Sequence, residues 1–219
     1  GLIPRGHADF DPAPVQLDQV PAGSVRQLLR WLRQRSAQVG WRAAVDALRP
    51  HSHPLWQGLD HAQQQRFLRH ARPWWDVHRH RLAPLAADRL QSLQAAGRMQ
   101  VLAARLTAVR PAAASAPGLE VDLQPRGQAA AQTLTVAAMV NCTGPSTAIG
   151  PDSQPLLRQL IRDGLLASDP CGLGLQVDGR YQVIDAHGRA VDGLWYVGPM
   201  LRARDWEATA APELRVHAQ

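Results

Sequence analysis

Lysine is missing from this chain: all 24 basic residues are arginine, set against 18 acidic ones for a formal net charge of +6. In a chain also heavy in alanine and proline, the exclusive use of arginine fits codon bias in a GC-rich genome. The arginines are dispersed, mostly on polar helix faces, with no basic tail or dense run. A solvated surface is therefore expected, and nucleic acid is disfavoured as a partner. Cysteine is scarce as well. Cys142 and Cys171 form no metal or redox spacing, so no disulfide framework is expected, and a reduced cytoplasmic setting is the default. No apolar run approaches the roughly 20 residues of a membrane span. The opening GLIPRGHADF lacks the charged head and apolar stretch of a signal peptide. No Ser/His/Asp, Cys/His or paired-carboxylate constellation is legible either, which leaves hydrolase chemistry without support.

What is present is enough apolar material for a core, 45% of 219 residues, arranged in two periods. From Ser24 to about Ala96 the pattern is helical. Ser24-Val-Arg-Gln27 reads as a capping box, and Val25, Leu28, Leu29 and Leu32 recur at i, i+3, i+4 and i+7, with Gly40 as a stop. A second short helix runs from Trp41 to Leu48 and ends before Pro50. Asp60-His-Ala-Gln63 opens a third, which Pro73 interrupts before Trp74 to Leu82 continues. Leu85 to Ala96 makes a fourth, stopped by Gly97.

From Met99 the period changes to two. Met99 to Val109 and Leu119 to Leu123 read as strands around the loop Pro111 to Gly118. Leu134 to Cys142 reads as a third, mostly apolar and so expected to be buried on both faces. A helix follows from about Ser153 to Asp163, capped by Gly164. Leu173 to Val177 and Tyr181 to Asp185 form a hairpin about Asp178-Gly179, ahead of a closing strand, Leu194 to Val197, and a helix beginning near Met200. The expected fold is α/β or α+β. Residues 1–97 form a mainly helical region, and residues 98–219 form a β-meander with part of a further sheet.

A three-strand meander, a strand ending VNCTGP (Val140 to Pro145), a hairpin and then GLWYVGP (Gly193 to Pro199) before a helix resemble the distal half of two-dinucleotide-binding flavoproteins. More narrowly, FLRHARPWWDVHRHRLAP (Phe67 to Pro84) and GPMLRARDWEATAAPELRVHA (Gly198 to Ala218) resemble the bacterial FAD/NAD(P)-binding protein family over essentially the whole chain. The resemblance implies an FAD- and NAD(P)-dependent oxidoreductase of monooxygenase-like type, acting on a small molecule. It also implies a partial dinucleotide-binding sheet whose strand ends at Thr143-Gly144 and Gly198-Pro199-Met200-Leu201 meet the cofactor. Two departures limit it. The Gly-rich loop that meets pyrophosphate at a helix N-terminus is absent, since Gly172-Leu-Gly174 lacks a third glycine and precedes a hairpin. The chain therefore reads as the C-terminal portion of a longer protein whose N-terminal part is its partner, or as a truncated relative, and weak or absent FAD binding is expected of it alone. Pro199 also stands where the wider superfamily places an Asp on the ribityl chain. The alternative is a non-catalytic or partner-binding fragment.

The residues themselves weigh on both sides. Gly198 has no Cβ to block a ligand, and Pro199 suits the first position of a helix whose free N–H groups around Met200 to Arg202 favour negative charge. Gly-Pro is equally a plain strand-to-helix turn, and so is Thr143-Gly144. His51, His53, His70, His78 and His80 could supply nitrogen ligands, but i, i+2 spacing sends side chains to different helix faces. Hydrogen bonding within and between helices is the expectation, and no metal is implied. Trp31, Trp41, Trp56, Trp74 and Trp75 are expected to plug a helical core. Glu207 is expected to pair with Arg79 or Arg81 in a structural or substrate-pocket role, with an exposed surface carboxylate as the alternative.

Overall fold

The computed structural model describes residues 2–112, 117–144, 146–150, 153–209 and 215. Helices are combined with a three-strand and a two-strand sheet, both antiparallel, which makes the protein α+β. The chain divides into two compact units, Gly1–His7 with Arg81–Pro145, and Ala8–His80 with Ser146–Gln219. Each unit draws on both of the compositional regions seen in the sequence.

The second unit contains the helices α1 (Val25–Val39), α2 (Trp41–Ala47), α3 (Ser52–Gln57), α4 (His61–Arg66) and α5 (Arg72–Arg79). Ser24 caps α1 through the N–H of Gln27 at 3.4 Å, and Asp60 caps α4 through the N–H of Gln63 at 2.8 Å. Both caps satisfy donors that the first helical turn leaves free. Gly40, at φ 78°, takes the left-handed turn between α1 and α2. A π-helical segment, Phe67–Ala71, joins α4 to α5, and Pro73 sits in the first turn of α5, where no intrahelical N–H bond is lost. Val25, Trp56, Leu59, Ala71, Leu173 and Trp206 form one buried cluster, while Val20, Leu48 and Leu55 form another against Leu28, Trp31 and Leu32. The stripe expected on α1 is thus its packed face. Trp74 departs from the expected core: it is 54% exposed.

Two pieces of chain from the C-terminal region complete this unit. Helix α7 (Pro155–Arg162) precedes the expected left-handed Gly164, at φ 72°. Leu166, Leu175 and Val183 make a third cluster under it. The hairpin about Asp178-Gly179 is confirmed by the Val177–Val183 bridge and the Asp178 N–H to Gln182 carbonyl bond of 2.9 Å. The Asp178 carboxylate accepts the N–H groups of Arg180 and Gln182, and those two bonds hold its carboxyl below the ordinary value. The later residues of that hairpin form β1 (Gln182–Ile184), which pairs with β2 (Ala190–Trp195) rather than with a strand Leu194 to Val197.

The first unit contains α6 (Pro84–Ala95), ended by Gly97 at φ 68°, and a meander of β3 (Ala104–Pro111), β4 (Leu119–Pro125) and β5 (Gln132–Val136). Its strands correct the sequence reading in two places. The first strand starts at Ala104, not Met99, because its partner β4 ends at Pro125, directly opposite. The run Leu134 to Cys142 is not a buried strand: β5 stops at Val136, opposite Leu119, where β4 begins and the ladder runs out. Residues 137–142 carry no regular structure, and Val140 is 81% exposed. Among the described residues no helix is long and apolar enough to cross a membrane.

Candidate functional site

The residues expected at the cofactor fall in different units. Thr143 and Gly144 belong to the first, on an exposed irregular segment. The Thr143 N–H and Oγ1 both donate to Asn141 Oδ1, at 3.1 and 2.8 Å, so this backbone donor is used locally. Pro145 lies outside the described residues. Gly198, Pro199, Met200 and Leu201 belong to the second unit, where Pro199–Ala203 forms a single 3-10 turn rather than a longer helix.

That turn is occupied by the protein's own groups. Gly198 is at φ 145°, and a Cβ there would lie 2.7 Å from the Tyr196 hydroxyl. The glycine is required, as expected, but the close approach it permits is that of Tyr196. The Met200 N–H points at Tyr196 Oη, at 3.5 Å, and the Leu201 N–H donates to the Gly198 carbonyl. Gly174, at φ 146°, lets its backbone lie against the Met200 carbonyl, which also accepts the Leu175 N–H. Leu201 is completely buried. The Cβ side of Gly198 therefore offers a flavin no open face in this arrangement.

Just beyond the turn lie two buried carboxylates. Asp205 is 2% exposed and accepts from Gln57 Nε2 at 3.1 Å. Glu207 is 3% exposed. It accepts from Trp75 Nε1 at 3.2 Å and lies 3.9 Å from Arg79 Nε. The pairing with Arg79 is the one expected from the sequence, and it excludes the exposed carboxylate. Trp206 sits between these two acids. It packs at 4.8 Å centroid distance on Trp56 and 5.0 Å on Phe67, while the Arg202 guanidinium stacks 4.3 Å above it. Burial, then the neighbouring Arg72, pushes the Arg202 guanidinium below its ordinary value. The two sequence blocks Phe67 to Pro84 and Gly198 to Ala218 thus meet in this unit through Phe67, Trp75 and Arg79 on one side and Trp206 and Glu207 on the other.

Trp75 has a second role. Its ring, with those of Trp41, Phe67, Trp74 and His78, lines an open groove of about 660 Å³ between α1 and α5. The His78 and Trp41 rings meet edge to face at 5.0 Å. His78 Nδ1 lies 2.7 Å from the Trp74 carbonyl; since a carbonyl only accepts, Nδ1 carries the proton and Nε2 is the acceptor of the neutral ring. His51 likewise bonds the Val15 carbonyl from Nε2, so these histidines serve helix-face and inter-segment hydrogen bonds as expected.

One pairing escaped the sequence reading. Cys171 Sγ lies 3.4 Å from His61 Nδ1, with 110 positions between them, too far apart for any spacing rule to connect. Burial, then Asp169, pushes the thiol up from its ordinary value, so the pair lacks the thiolate character of an activated nucleophile. Asp205 also carried no sequence signal beyond its place in the GPMLRARDWEATAAPELRVHA block. No family model matches the chain, and no curated protein matches it significantly.

Proposed function

We propose that this chain is a portion of a cytoplasmic FAD- and NAD(P)-dependent oxidoreductase, of monooxygenase-like type, and that it supplies the substrate side of that enzyme. The observation that carries the reading is the junction at Glu207. The two blocks that resemble the FAD/NAD(P)-binding proteins are 132 positions apart at Trp75 and Glu207, yet they bond to each other through Trp75, which lines the aromatic groove. A buried carboxylate that holds a ring lining a groove is a positioning device. The groove, at about 660 Å³, has the size of a small-molecule site. When bound, FAD would supply the redox chemistry. The pyrophosphate would be gripped by a Gly-rich loop elsewhere.

The experiment is expression of the longest reading frame that contains this chain, with flavin and nicotinamide oxidation assayed together. A yellow protein near one FAD per chain that consumes NADPH or NADH supports the reading. A colourless, fully folded product with no Gly-rich loop overturns it. The second reading, a partner-binding fragment that does not hold FAD by itself, draws support from Tyr196, which covers Gly198 and takes the Met200 N–H.

A further inference from the structure

The aromatic groove continues into a second, basic one. Leu29, Arg33 and His70 line both, and the second, of about 630 Å³, adds Arg26, Arg30 and Arg66. Arg26, Arg30 and Arg33 follow i, i+4, i+7 spacing and share one face of α1, a helix with no acidic residue in its sequence. None of these four arginines makes an ion pair among the described residues, and no carboxylate lines either groove. Like charges on one helix face repel, and among the described residues no ion pair offsets them. At the other end Trp74, 54% exposed, offers a bare aromatic face beside Trp75 and Phe67.

We propose that the joined groove binds a small planar aromatic anion, with its ring against Trp74 and its carboxylate, sulfonate or phosphate toward Arg30 and Arg33. Both ends of the site argue for that class. A neutral aromatic would leave the arginine face uncompensated, and an aliphatic acid would leave the exposed tryptophan face uncovered. Arginine forks suit planar oxyanions in two-point contact, and aromatic walls favour flat rings. The inference takes from the preceding reading only that the groove is a ligand site. It requires no flavin.

The test uses the chain as it stands, with 2-naphthoate as the probe, tryptophan fluorescence and calorimetry as the readouts, and FAD content measured separately. Saturable one-to-one binding is expected. It should weaken at least tenfold for the neutral isostere 2-naphthylmethanol, about tenfold in Trp74→Ala, and at least tenfold in Arg33→Glu, and it should fall as salt is raised. All these side chains are exposed, and circular dichroism checks that each variant folds. Equal affinity for acid and alcohol, or an unchanged constant in Arg33→Glu, overturns the proposal. So does displacement of naphthoate by a short single-stranded oligonucleotide at lower concentration than free naphthoate, which would assign the groove to nucleic acid. FAD binding is scored on the product of the longest reading frame, so its failure there with naphthoate binding intact would count against the oxidoreductase reading and leave this one standing.

Discussion

In the second unit Trp56, Phe67 and Trp206 close a core of interlocking rings, and every buried apolar residue among the described ones belongs to it except Val121. In the first unit Val121 stands alone, and all of β3 is exposed. That sheet is latched across its strands by polar groups instead: Arg110 bonds Glu120 at 2.8 Å and also Asp122, which accepts from Thr133 at 2.7 Å. One unit is held by apolar burial with a few buried charges fastened inside it. The other is held by a backbone ladder and exposed ion pairs, which contribute little each and are screened by salt. The groove, the buried acids Asp205 and Glu207, and the contacts of Trp75 and Arg79 with Glu207 lie in the well-packed unit. A packed core holds side chains in single rotamers, which a site needs and a latched sheet does not supply.

The contrast can be broken most directly at Trp56. Replacing it by Ala removes a buried indole and the 3.0 Å bond from its Nε1 to the Ala203 carbonyl, and should cost about 3–5 kcal/mol. Urea unfolding followed by near-ultraviolet circular dichroism reads the loss; a change under about 1 kcal/mol would mean the ring cluster is not the core of this unit. Glu207→Gln comes next. It keeps an acceptor for Trp75 and removes the charge facing Arg79, for an expected loss of about 1–3 kcal/mol. Under the proposed function, the same change in the longer protein should weaken substrate affinity while flavin reduction by nicotinamide persists. A variant that folds normally and cannot reduce its flavin would place Glu207 in the chemistry.

Titrating FAD into this chain alone should give weak binding or none, because the loop that would grip pyrophosphate is not among these residues. Near-stoichiometric FAD in the purified chain would contradict that. The smallest effect is expected in the first unit. The Arg110 hydrogen bond, then that of Thr133, holds the Asp122 carboxyl below its ordinary 3.8. A depressed carboxyl contributes stability above the unfolded value, and that contribution disappears as pH falls through the lower folded one. Asp122→Asn should therefore lower stability slightly at neutral pH and flatten the decline below about pH 4, where the unfolded carboxylate titrates. Acid titration of both proteins, monitored at β3–β5 by amide exchange, measures it; parallel acid limbs would show that the latch carries no charge-dependent stability.

Local elements were legible wherever a short-range rule decides them. The Ser24 and Asp60 caps, the α1 stripe and the left-handed Gly40, Gly97 and Gly164 all follow from interactions within one or two turns of chain. Apolar composition misled at Leu134 to Cys142, because a strand needs a neighbour and β4 begins at Leu119, opposite Val136. The Gly198 reading was right about the need for glycine and silent on Tyr196, two residues before it, because backbone spacing does not say which side chain turns inward. Glu207 with Arg79 came from a sequence block, whereas Cys171 with His61 and Asp205 with Gln57 came from nowhere in the sequence.

By itself, then, the sequence determined helix starts and stops, the α1 face that packs and the excess of arginine. These depend on residues a few positions apart or on composition. Only the tertiary structure decided which tryptophan is buried and which is bare, which arginines share an uncompensated groove, and where each strand ends. Those outcomes depend on partners that other parts of the chain supply, from Val136 opposite Leu119 to Glu207 against Trp75, and on the space they leave between them.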